Sequence, residues 1–208
     1  MNKKAALQLS INAIVILILA ITILSLGIAF IRSQFGTLTE RFTEVSAEIK
    51  SELINKIKDS GDLLVFNRVE IEAKLGKPEE FYIGIKNTAP NINDPNKPVC
   101  FIPAIKCISA LNGDCLDGRD NVYVGGTDMS LGPGNPPEVK WFSLFPEVNI
   151  QTGEVNVYPI ELQIAQAQPD TYLMEFAVYK YQDGASCDTG GIVDERPYQS
   201  KQFFIKLS

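Results

Sequence analysis

Hydrophobic positions along this chain change period twice. From Leu9 to Ile31 the run LSINAIVILILAITILSLGIAFI carries no charge. At about 1.5 Å per residue, a helix of that length covers roughly 34 Å, enough to cross a hydrocarbon core of ~30 Å. Beyond it, Phe35, Leu38, Phe42, Val45 and Ile49 recur at alternating steps of three and four, and Leu53 and Ile57 extend the row by fours. That spacing is the a/d seam of a helix that packs along one stripe. Glu40, Arg41, Glu44, Glu48, Lys50, Glu52 and Lys56 fill the other positions, no proline occurs before Pro78, and Asp59-Ser60-Gly61 supplies a stop. The pattern predicts a basic leader over 1–8, a transmembrane helix over 9–31 and an amphipathic helical stalk over 32–60, as one long N-terminal helix.

From about Val65 the period shortens to two. Val69–Leu75, Phe81–Lys86, Val139–Phe145, Glu154–Tyr158, Ile160–Ile164, Tyr172–Tyr181 and Gln202–Leu207 alternate in the manner of strands. Turn signals such as Gly76-Lys77-Pro78, Asn112-Gly113, Thr152-Gly153 and Asp183-Gly184 separate them. Short strands with no helical pattern between them predict a β-sandwich over 61–208. Pro169-Asp170-Thr171-Tyr172, leading into a long alternating strand, resembles the penultimate strand of immunoglobulin-like domains, where such a tyrosine closes a corner. The expected fold class is therefore α+β, a long N-terminal transmembrane and amphipathic helix followed by an all-β immunoglobulin-like sandwich.

Charge orients this arrangement. Lys3 and Lys4 precede the uncharged run, while Glu40 and Glu44 lie downstream of it. The positive-inside rule puts the N-terminus in the cytoplasm and the sandwich outside the cell membrane. A net charge of −6 argues against nucleic acid as a partner, because phosphates require a basic face. The chain has no histidine, which removes the usual general base and the commonest zinc ligand. An enzyme is not expected. The remaining carboxylate pairs, Asp114 with Asp117 and Glu79 with Glu80, are weak grounds for one, and no cofactor is implied.

Cys100, Cys107, Cys115 and Cys187 all fall in the expected exterior domain. Their spacing is not that of a zinc site, so they read as two disulfides. Three pairings are open. The favoured one ties Cys187, in the Asp183–Gly191 loop, to the Cys100–Cys115 segment and leaves the other two cysteines to close that segment. Asp114, Asp117 and Asp120 with their amide neighbours are candidate calcium ligands, although the same residues serve any solvated turn. Trp141 and Phe142 are expected in the core rather than on a binding platform.

Lys3-Lys4-Ala5-Ala6-Leu7-Gln8-Leu9-Ser10, followed directly by the apolar run, resembles the class III signal of type IV pilin-like proteins, particularly archaeal pilins and archaellins. The resemblance implies cleavage of a short basic leader by a prepilin-peptidase-like enzyme, here between Ala5 and Ala6. It also implies a retained helix packed in the centre of a filament beneath β-rich heads. Ser10 then stands where many bacterial pilins carry glutamate, and Gln8 is the nearby polar residue.

The function expected is a membrane-anchored, pilin-like structural subunit of a surface filament or pseudopilus. Its partners would be membrane lipid and other copies, joined through the seam Phe35, Leu38, Phe42, Val45, Ile49, Leu53 and Ile57. The alternative is an unprocessed, membrane-tethered binding or adhesion module.

Overall fold

The computed structural model describes residues 14, 16, 19–22, 47–127, 137 and 139–208. The chain divides into two units, Met1–Glu44 and Val45–Ser208. In the first, Ile14, Ile16 and residues 19–22 are helical. The second is a two-sheet sandwich with one α-helix among its described residues.

That helix, α1, is Ala47–Ser60. Glu48 in its first turn and Lys58 in its last complement the helix dipole. Gly61, at φ 71°, takes the left-handed position after it, and its amide donates to Ile57 O at 3.0 Å.

Among the described residues ten strands follow: β1 Leu64–Phe66, β2 Glu70–Ala73, β3 Glu79–Lys86, β4 Val99–Ala110, β5 Val122–Gly126, β6 Phe142–Ser143, β7 Val148–Ile150, β8 Val155–Leu162, β9 Thr171–Lys180 and β10 Gln199–Leu207. One sheet has the order β1-β3-β8-β6. The other has the order β2-β10-β9-β4-β5, with β7 also paired to β4. All pairings are antiparallel except β2 with β10. The successive strands β1 and β2 lie in different sheets, as do β6 and β7, so the chain crosses between the layers at each place.

The core fills the space between the sheets. Phe203 sits 5.3 Å from Phe66, 5.7 Å from Phe81 and 6.1 Å from Phe142, centroid to centroid, in tilted or edge-on contacts. Trp141 and Phe142 belong to this core. The Trp141 backbone also spans the layers: its amide donates to Val124 O at 2.9 Å, and its carbonyl accepts from Gln163 N at 2.8 Å.

Several expectations need correcting. The fold class is a β-sandwich with a short docked helix, not an α+β fold led by a long helix. α1 is 14 residues long, and among the described residues no helix is long and apolar enough to cross a membrane, so the expected transmembrane helix is not found there. Helical spacing marks the apolar stripe but cannot tell what it packs against. In α1, Leu53 and Ile57 are fully buried on the protein's own β1–β3–β8 sheet, beside Val65, Tyr82, Val155 and Val157. Tertiary packing of this kind defines the helix, and Gly61 ends it.

Strand bounds also shift. Val139–Phe145 shrinks to β6, the two strands expected over Glu154–Ile164 are the single strand β8, and β1, β4, β5 and β7 were not anticipated. The largest omission is β4, whose run VCFIPAIKCISA is buried on both faces from Val99 to Ile105 and so shows no alternation. Pro103 also argues against a central strand. The register explains how it is accommodated. Pro103 pairs with Val178, whose carbonyl accepts from Tyr198 N at 2.7 Å on the far side. The polar groups of Pro103 therefore point away from β9, between the residues paired to β7 (99–101) and those paired to β5 (104–107). No ladder donor is needed there.

Candidate functional site

The two cysteine pairs organise opposite ends of the sandwich. Cys100 on β4 is bonded to Cys187, and Cys107 to Cys115. The first clamps the β9–β10 connection onto the outer face of β4. Beneath it, Cys100, Ile102 and Tyr181 form a small buried cluster with Ala185, Cys187 and Val193 packed around it. Cys100 N also donates to Ala185 O at 2.9 Å, and Gly184 passes so close to Pro90 O that a Cβ would lie 2.5 Å from it. Asn91, itself buried, donates to Pro98 O and accepts from the amides of Asn93 and Asp94. The loops 88–98 and 181–198 are thus fastened together, with Ile92 and Ile192 exposed on them.

At the other end, Cys107–Cys115 closes the hairpin between β4 and β5. Asp170 holds the tip: its carboxylate accepts from Asn112 N at 2.9 Å, Asn112 Nδ2 at 3.0 Å and Thr171 N at 2.7 Å, and also from the Gly113 amide. Desolvation pushes the Asp170 pKa up, but these hydrogen bonds outweigh it, and the group sits below the ordinary aspartate value. Next to it, Tyr172 is buried and its hydroxyl donates to Gln168 O at 2.6 Å, closing the corner anticipated for that residue.

Between hairpin and corner lies a pocket of about 420 Å³, lined by Asp114, Asp117, Gln166, Gln168, Leu116 and Val139 among others. Its size is in the range of small-ligand sites. Asp114 and Asp117 face it, but Asp120 is engaged elsewhere, accepting from Cys115 N at 3.2 Å. Among the described residues no group of three or more His, Cys, Asp or Glu side chains is placed to hold a metal. Glu80 accepts from the Tyr82 hydroxyl at 3.0 Å, next to Glu79 on the same strand.

Of the expected seam, Ile49, Leu53 and Ile57 pack on the head. Phe35, Leu38, Phe42 and Val45 lie outside the described residues, as do Lys3, Lys4, Ala5 and Ala6 of the leader. The Asp170 clamp was not foreseen. The signal for it was the Asn112-Gly113 turn, whose amides need an acceptor that only the fold brings near.

No protein-family model matches the chain, and no curated protein matches it. Among solved structures it is similar to the PapD-like domain of human CEP192, at 7% identity over 70% of this chain and 84% of that one, TM-score 0.35. It is also similar to AvmM, described as catalysing macrocyclisation in alchivemycin A biosynthesis, at 12% identity over 69% and 88%, TM-score 0.39. A third likeness is to a chaperone–tip adhesin complex of CFA/I fimbriae, at 9% identity over 69% and 54%, TM-score 0.34. Likenesses this distant carry no argument about family or activity.

Proposed function

We propose that this chain is a structural subunit displayed on the outside of a cell membrane and assembled with copies of itself into a surface filament or pseudopilus. Its uncharged segment 9–31 holds it at the membrane, and its sandwich forms the outer surface. The observation that carries this reading is the pair of disulfides, which leaves no free cysteine in the head. Disulfides persist in oxidising surroundings, which supports a position for the head outside the cytoplasm. The leader Lys3-Lys4-Ala5-Ala6 ahead of the uncharged run supports processing by a prepilin-peptidase-like enzyme. The test is to shear cells, collect filaments and sequence the N-terminus of the released protein. Recovery in filaments with a start at Ala6 is expected. An intact Met1 on protein that stays with the membrane sinks the filament reading.

The second reading, a membrane-tethered binding module, is favoured by the pocket beside Asp114 and Asp117. A small polar ligand seated there would raise the unfolding midpoint of the protein in proportion to its occupancy.

A further inference from the structure

Each sheet has an outer face, and the chain covers only part of the two. α1 lies over the outer face of β1, β3 and β8. The clamped loop 181–193 lies over Ile102 on the outer face of β4. The part of that second face along β9 and β10 is more open: Leu173 and Glu175 are half-buried, and Gln202, Phe204 and Lys206 are exposed. There, Phe204 on β10 pairs directly with Leu173 on β9; Phe204 is 46% exposed, and neither side chain belongs to a core cluster. On the same face the hydroxyls of Tyr123 and Tyr179 bond to each other, and Lys106 sits 6.0 Å over the Tyr123 ring. Burial and that hydrogen bond push the Tyr179 pKa well up.

We infer that this half-face is the contact between two copies of the chain, each laying its Phe204–Leu173 row and its tyrosine pair against the other's. Charge selects a second copy as the occupant. The chain carries a net −6, which repels its own kind over most of its surface. On this face Lys106 and Lys206 stand among Glu70, Glu72 and Glu175, with Lys206 bonded to Glu70 and Lys106 directly opposite Glu175. A nearly balanced, mixed field is complementary to itself, as a two-fold contact requires. The exposed Phe204 and the half-buried Tyr123 and Tyr179 are of the residue type that carries binding at such contacts. The inference adds a head-to-head contact to the proposed assembly and rests on that reading only for its biological setting.

The test mixes ordinary and ¹⁵N-labelled full-length protein in detergent and treats it with an amine-reactive cross-linker. Mixed-isotope cross-links joining Lys106 and Lys206 of different copies are expected. Phe204→Glu should lower their yield roughly tenfold. Leu173→Glu should do the same, and Ile192→Glu, on the far loop, should leave the yield unchanged. The unfolding midpoint of each variant confirms that it is folded. Absence of these cross-links in the unaltered protein overturns the inference, as does their persistence in both folded face variants or an equal loss in Ile192→Glu. Filaments without these cross-links sink this contact alone, and cross-links without filaments sink the filament reading alone.

Discussion

Removing the Cys100–Cys187 bond should cost far more stability than removing Cys107–Cys115, and the structure sets the ratio. The two bonds span sequence separations of 87 and 8 residues. In the chain-entropy treatment, loops of those sizes restrict the unfolded chain by about 4.6 and about 2.5 kcal/mol. The short loop lies inside the long one and shortens it little, so the two effects are nearly additive. Cys100→Ala with Cys187→Ala also frees the loop over Ile102 and Tyr181, which adds to the loss. The assay is urea unfolding of the full-length protein, followed by the fluorescence of the single tryptophan, Trp141, which is buried 5.3 Å from the Tyr172 ring. With a urea dependence of about 2 kcal/mol per molar, the midpoint should fall by roughly 2 M for the long bond and roughly 1 M for the short one. A loss for Cys107→Ala with Cys115→Ala equal to or larger than that for the long bond would refute the reasoning. It would mean that native packing around the hairpin, not restriction of the unfolded chain, sets the contribution.

Three other expectations follow from local geometry. A Cβ on Gly84 would lie 2.9 Å from Ile57 Cδ1 and 3.1 Å from Val65 Cγ2, so Gly84→Val should lift α1 and cost about 2 kcal/mol, read as faster amide exchange over residues 49–60. Tyr172→Phe removes the bond to Gln168 O and should cost about 1 kcal/mol in urea unfolding, with Trp141 fluorescence otherwise unchanged. Because the folded Asp170 pKa lies below its ordinary value of 3.8, its contribution is present above that pH and is lost as pH falls through the folded pKa. Asp170→Asn should therefore flatten the acid limb of the stability profile, and an unchanged limb would show that other carboxylates govern it.

What could be read in the sequence depended on whether a strand faces solvent on one side. β9 and β10 alternate because one face meets the core and the other is more exposed, β3 keeps the alternation beneath α1 because Tyr82 and Gly84 face the helix, and all three positions were legible within a few residues. β4 was not, because the Cys100–Cys187 loop buries its outer face and turns an alternating strand into an unbroken apolar run. The corner at Tyr172 could be read because a local Pro-Asp-Thr-Tyr sequence suffices to build it. The pocket could not, since it brings residues 113–118 against 166–172 through pairings over fifty residues apart. The stripe at Ile49, Leu53 and Ile57 was visible as a stripe, but its partner was not, because helical spacing is the same for a seam between copies and a face on one's own sheet.

The two outer faces are covered by different devices, and the difference explains where the long disulfide sits. α1 needs no covalent help. Leu53 and Ile57 are fully buried in the space left by Gly84, each side chain contributing roughly 2 kcal/mol, and Lys56 Nζ donates to Phe66 O at 2.9 Å at its edge. The loop over β4 has no such reserve. Its regular structure is two short 3₁₀ turns, Gln182–Gly184 and Cys187–Thr189, with Asp183 in the left-handed region, and its buried apolar anchor is Tyr181. Two isolated turns of that kind do not hold a loop against a sheet on their own. Bonding Cys187 to a fully buried residue of the sheet's longest strand supplies what burial does not. The clamp therefore falls on the weakly packed cover, and it ends short of Phe204 and Leu173, on the part of the face whose charges are nearly balanced.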